Sequence, residues 1–187
     1  MLRPVRPRYS PHTSHYPTSH YLTSTLRATR TRTMSTTQPP PTLVMQLIID
    51  PSHPSASSWP KGPWMVQAAH AATAAITISS SSRSTQDYIS AANLSSMHKV
   101  VLATAKAGKA KRTLNELSEK LSAERMAWEK AKASAEAKGG EEGEQEFPQH
   151  YLWIEQPENT ATCLAIAPNR KPAALKKLLR SCTLLKD

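Results

Sequence analysis

Two cysteines, five glycines and one phenylalanine are all that 187 residues contain of these types. Cys163 and Cys182 have no paired spacing, which excludes a disulfide framework and a cysteine-based zinc site and fits a reducing compartment. The sequence lacks G-x-S-x-G, H-E-x-x-H and a phosphate-binding glycine loop, so no common catalytic signature stands out from spacing. Long apolar runs are missing too. The longest, Pro63 to Ile78, is interrupted by Gln67 and His70 and is too short to span a bilayer, so membrane insertion is not expected. No metal and no organic cofactor are implied.

Acidic residues are absent from residues 1–33, which hold Arg3, Arg6, Arg8, Arg27, Arg30 and Arg32. The net charge of +10 therefore lies largely in this tail. The remainder carries 18 basic against 14 acidic residues, a mild excess that permits a polyanionic partner without demanding one. Residues 1–42 are expected to be a disordered basic tail. An Arg- and Ser-rich, acid-poor beginning is what a mitochondrial import segment looks like. Pro4, Pro7, Pro11 and Pro17 oppose the helix such segments form. Met34 opens a more usual start, MSTTQPPP. Localisation is expected to be mitochondrial, or cytoplasmic if translation begins at Met34.

What is present reads as alternating strands and helices from residue 43 to 187. Leu43 to Ile49 is an almost wholly apolar run, as a strand buried on both faces would be. Residues 50–60 are turn formers. Lys61 to about Ile78 is Ala-rich, with Met65, Ala68, Ala69, Ala72 and Ile76 on helical spacing. Thr85 to Leu94 suits a short second helix, and His98 to Ala103 a second strand. Lys106 to Arg112 is a basic turn. Thr113 and Glu116 make a capping box, and Leu114, Leu117, Leu121 and Trp128 follow at helical spacing to about Ala137. The Glu- and Gly-rich stretch KGGEEGEQE reads as a solvated linker within an insertion at about 129–147. Tyr151–Glu155 and Ala161–Ala167 are strands joined by a tight turn, hence antiparallel. Pro172 opens a last helix through Leu175, Leu178 and Leu179. This pattern predicts one small α/β domain with a mixed sheet.

Three clusters can carry chemistry. In WPKGPWMVQAAHA, Lys61 and Gly62 lie where loop meets helix, and a cation beside free amides makes an anion site. An exposed lysine at a helix start is the plainer account. Gln67 and His70 share a helix face, and among alanines such a pair is commonly a satisfied hydrogen-bond pair. The turn EQPENTAT gathers Glu155, Gln156, Asn159, Thr160 and Thr162 at a strand end, where sites form in open α/β sheets. Glu155 can order a water, and the others can bond a sugar or an oxyanion; a β-turn favours the same residue types. Finally, Arg170, Lys171, Lys176, Lys177 and Arg180 either track phosphates or form a solvated helix face.

Read together, WPKGPWMVQAAHAATAAI, HKVVLA and LWIEQPENTATCLAI resemble, in order and spacing, the first helix and the second to fourth strands of the archaeal and eukaryotic type of peptidyl-tRNA hydrolase. The W-P-K-G and L-W-x-E-Q-P-E-N-x-A-T-C strings most resemble a divergent subgroup of that family. The resemblance implies a four-stranded mixed sheet with helices on both faces. It implies hydrolysis of the ester of peptidyl-tRNA, with Lys61, His70, Glu155 and Thr160 as catalytic residues. Gly62, Gln67, Gln156, Asn159, Thr162 and Lys171 would bind substrate, and a homodimer is one assembly open to it. This chain departs from the family pattern in three places, one of them the insertion at about 129–147, where relatives pass directly to the strand. Pro63 replaces a second lysine, and Gln156-Pro157-Glu158 replaces an Asp-Ala-Gly turn whose Asp is thought to orient the water or the lysine. Gln156 can form hydrogen bonds but cannot accept a proton at neutral pH. A fold kept for binding RNA without the chemistry, or for binding protein partners, is the alternative.

Overall fold

The computed structural model describes residues 42–52, 59–105, 112–138 and 145–186. The tail, most of the basic turn and the centre of the Glu/Gly-rich stretch lie outside the described residues.

Five strands form one mixed sheet in the order β3-β4-β1-β2-β5. They are β1 (Val44–Ile49), β2 (His98–Ala103), β3 (His150–Glu155), β4 (Thr160–Asn169) and β5 (Thr183–Leu184). The central strand is the apolar run, buried on both sides as its composition requires. It pairs parallel with β2 and antiparallel with β4. Because β4 is antiparallel to β3 as well, β1, β2 and β3 all point the same way. Their carboxyl ends share one edge of the domain.

The helices are α1 (Lys61–Ile78), α2 (Arg83–Ile89), α3 (Leu114–Glu136) and α4 (Ala173–Leu178). One face of the sheet is covered by α1 and α2. Ala71, Ala72 and Ala75 meet Met45, Leu47, Cys163 and Ala165, and Tyr88 fills the space beside them. Small side chains on α1 let its backbone approach the sheet closely. Tyr88 donates its hydroxyl to the His98 carbonyl at 3.0 Å, so the buried phenol is satisfied.

The opposite face is a leucine core. Leu114, Leu117 and Leu121 of α3 and Leu175 of α4 pack with Ile48, Leu164, Ile166 and Phe147. Each such side chain contributes roughly 2 kcal/mol through burial. The start of α3 is set by the capping box. Thr113 Oγ1 accepts from the Glu116 amide at 3.2 Å, and Glu116 Oε2 accepts from the Thr113 amide at 2.8 Å.

Three expectations change. The sheet has a fifth strand, β5, which pairs antiparallel with Leu102 and Ala103. Two residues carry no periodicity, so sequence patterning could not show it. The second helix ends at Ile89, where the Asn93 side chain caps the Tyr88 carbonyl at 2.8 Å. Phe147 is buried in the leucine core at the downstream end of the acidic stretch. Arg125 of α3 bonds Glu146 at 3.0 Å and the Phe147 carbonyl, which ties that end down. Among the described residues no helix is long and apolar enough to cross a membrane.

Candidate functional site

The sheet edge that gathers the carboxyl ends of β1 and β3 also carries the start of α1 and the β3–β4 turn. Two contacts fix the helix there. Thr162 Oγ1 donates to Gln67 Oε1 at 3.1 Å, and the His70 ring stacks on Trp153 at 4.5 Å between centroids and 17° between planes. Six residues of helix, about 9 Å, separate Gln67 from Lys61. Thr160 stands about 7 Å beyond Thr162 toward the same end. The helix start and the hairpin turn therefore lie on one face of the sheet and at one end of it.

A β-bulge arranges the hairpin side. Trp153 pairs with Cys163, but Ile154 pairs with Ala161 and Glu155 with Thr160. Thr162 is the extra residue. It and Cys163 both face α1, while Ala161 turns to the leucine core. Bulges re-aim side chains in this manner. The result puts Trp153, Glu155, Thr160 and Thr162 on the α1 side. Glu155 Oε2 accepts from the Trp153 indole Nε1–H at 2.9 Å. Thr160 Oγ1 donates to the Glu158 carbonyl at 3.2 Å, closing the turn.

The first-named cluster members divide by exposure. Lys61, the first residue of α1, is exposed, and so is Gly62. Among the described residues, nothing lies within 4 Å of a side chain added at Gly62. Pro60 precedes the helix without a capping side chain. His70 is exposed on its stacked partner, and Glu155 is half-buried.

Other expected site residues are placed differently. Gln67 and Thr162 are 3% and 1% exposed; their bond staples α1 to β4, and neither presents a polar group to a ligand. Gln67 and His70 do not bond each other; each reaches the hairpin separately. Gln156 and Asn159 are exposed in the turn. Asn159 takes a left-handed φ of 50°, a conformation Asn tolerates, so its evident task is the turn itself. Lys171 lies past the other end of β4, about 30 Å of strand from Thr160. There it borders an apolar groove with Gln46, Leu102, Leu175 and Leu184, so it does not belong to this edge.

Two residues escaped the sequence reading. Trp153 looked like ordinary strand filling, and only its neighbours reveal its contacts. Asp50 ends β1 on the same edge, buried, with Oδ1 accepting from Thr104 Oγ1 at 3.0 Å, Ser52 Oγ at 2.7 Å and the Ser52 amide at 2.9 Å. It fastens the ends of β1 and β2 and the start of the loop toward Lys61. The D-P-S sequence after an apolar strand was a turn signal that could have flagged it.

Cysteine chemistry is remote from this site's needs. Burial pushes the Cys163 thiol up to about 12, and burial raises Cys182 as well, so neither is a ready thiolate. Among the described residues no group of three or more His, Cys, Asp or Glu side chains could hold a metal ion.

The family model for the peptidyl-tRNA hydrolase PTH2 matches residues 43–185. This chain belongs to the PTH2 family. The match spans every strand and helix described above, from β1 to β5. Two mammalian relatives carry the name "Putative peptidyl-tRNA hydrolase PTRHD1". The mouse protein is 37% identical over 114 residues, which is 61% of this chain and 61% of the relative. The human protein is 35% identical over 133 residues, 71% of this chain and 75% of the relative. The PTH2 match thus covers both halves of the candidate site, the α1 start and the β3–β4 hairpin.

Proposed function

We propose that this protein hydrolyses the ester bond of peptidyl-tRNA, releasing the peptide and free tRNA. One observation carries the reading: Lys61 and Gly62 at the start of α1 stand at the same end and on the same face of the sheet as the Glu155–Thr160 hairpin. A cation and exposed backbone on one side then oppose a carboxylate and a hydroxyl on the other.

In this reading a water oxygen bonds to the acyl carbon and the carbon–oxygen bond to the ribose breaks. One water proton passes by way of Glu155 to the ribose oxygen, leaving a peptide carboxyl group and a tRNA hydroxyl. Lys61 stabilises the negative charge that builds on the carbonyl oxygen, a role that can supply on the order of 3 kcal/mol. In this reading Thr160 and the exposed turn residue Gln156 meet the terminal ribose, and Asn159 shapes the turn that presents them. Membership of the family supports the substrate class. The chain spans less than two thirds of the mouse relative's length, and the reaction is assigned here to this domain alone. We assign it to the mitochondrion on the composition of residues 1–33, or to the cytoplasm if translation starts at Met34.

The test is release of free tRNA from a purified peptidyl-tRNA by the full-length protein, compared with K61A. Turnover lost in K61A supports the reading. Binding of peptidyl-tRNA without turnover would replace it with an RNA-binding role for the same fold, which the exposed Gln156 at the family's acidic position favours.

A further inference from the structure

The hairpin holds one carboxylate that faces α1. Glu158 is exposed in the turn, whereas Glu155 is half-buried on the α1 side. A carboxylate on a flexible side chain needs a fixed partner to keep one geometry. Glu155 has one in the Trp153 indole N–H, 2.9 Å from Oε2. The same indole lies flat against the His70 ring, 4.5 Å away and within 17° of parallel. Trp153 is itself held, because it packs partly buried against the alanine-lined core and Tyr151 leans on it at 6.3 Å.

We propose that Trp153 is the positioning residue of this site, clamping Glu155 through its indole N–H and His70 through its ring face. This rests on the hydrolase reading and deepens it. The clamp makes Glu155 the carboxylate that orders the attacking water. It does so without touching substrate, because its N–H points to Glu155 and one ring face is taken by His70. Phe in place of Trp would keep the stack and lose the bond. Leu would lose both.

Three variants of the full chain separate these contributions: W153F, W153L and E155Q. Steady-state hydrolysis of peptidyl-tRNA gives kcat and KM for each. We expect W153F to lower kcat on the order of tenfold and W153L on the order of a hundredfold, with KM within about twofold of the wild type. Trp153 also packs against the core, so W153L is expected to melt lower. W153F keeps an aromatic ring at the stack, so its kcat, read on fully folded protein, is the deciding number. A W153F enzyme with wild-type kcat overturns the clamp.

A second measurement does not depend on turnover. In the 15N-labelled protein, the indole N–H resonance that vanishes in W153F belongs to Trp153. E155Q should shift that resonance at a single fixed pH, because it removes a charge at hydrogen-bond distance. A resonance unmoved by E155Q overturns the clamp whatever the kinetics. An inactive wild type in which E155Q does shift the resonance overturns the hydrolase reading and leaves the Trp153–Glu155 pairing standing.

Discussion

The two faces of this sheet are built differently, and the difference separates function from stability. On the α1 side the core is alanines against Met45, Leu47 and Ala165, with a buried Thr162–Gln67 bond and exposed rings beyond it. Small residues bring the helix close enough for side chains to bond across the gap. They also leave little apolar volume there. On the α3 side, Leu114, Leu117, Leu121 and Leu175 interlock with Ile48, Leu164 and Ile166. That face supplies most of the apolar burial, and its polar groups, such as Gln46 with Asn169 and Ser118 with His150, bond one another. The site thus sits on the face with the poorer core, and the leucine face holds the sheet that the site depends on.

The sharpest test of this division is L121A. Leu121 is fully buried, and its truncation should cost about 2–5 kcal/mol of stability by denaturant unfolding. The kcat of the molecules still folded should not change. A large kcat loss at full folding would break the division of labour. K61A is its mirror image. It should reduce turnover by about 3 kcal/mol of barrier, or roughly a hundredfold, with the thermal midpoint nearly unmoved because Lys61 is exposed.

T162V is intermediate. It removes the donor to Gln67 Oε1 in a buried position, which should cost about 1–3 kcal/mol. It should also loosen α1 over the hairpin, so stability and kcat fall together. A stability loss without any kinetic change would show that the staple does not position the site.

The smallest expected effect lies on the leucine side. His150 Nε2 meets Ser118 Oγ at 2.9 Å, and burial pushes its pKa below the ordinary value of 6.5, the Ser118 contact opposing in part. The unfolded chain takes up a proton near pH 6.5 that the folded chain resists. Stability should therefore fall as pH drops below 6.5, until the folded histidine titrates as well. Melting curves at pH 7.5 and 5.5 should show a smaller difference for H150Q than for the wild type.

Much of the fold was readable because its elements are long and regular. His98–Ala103 has the bounds its composition implied. The helix after Thr113 begins at a capping box whose two hydrogen bonds both form. The antiparallel β3–β4 pair followed from a connection too short for anything else. The strand Thr183–Leu184 was invisible because pairing, not pattern, makes it a strand. At the site, Lys61 and Gly62 were readable as a loop-to-helix junction. Gln67 and Thr162 were read separately, each as a substrate-binding residue; that both are buried and bond each other could not be read from residue type. Lys171 was read among the basic residues of the last helix and, by resemblance, as a substrate contact. A ten-residue strand carries it to the far end of the sheet.

By itself, then, the order of residues determined which segments become strands and helices, since hydrophobic period, capping and turn chemistry are local. It also determined which residue types were on hand for the proposed ester hydrolysis. Only the tertiary structure decided which of them meet. The bulge at Thr162 turns the hairpin's polar side chains toward α1, and the indole of Trp153 joins a histidine and a glutamate that lie 85 positions apart in the chain. Contacts of that range depend on where the sheet's register and the helix's approach place each side chain, and no local pattern encodes either.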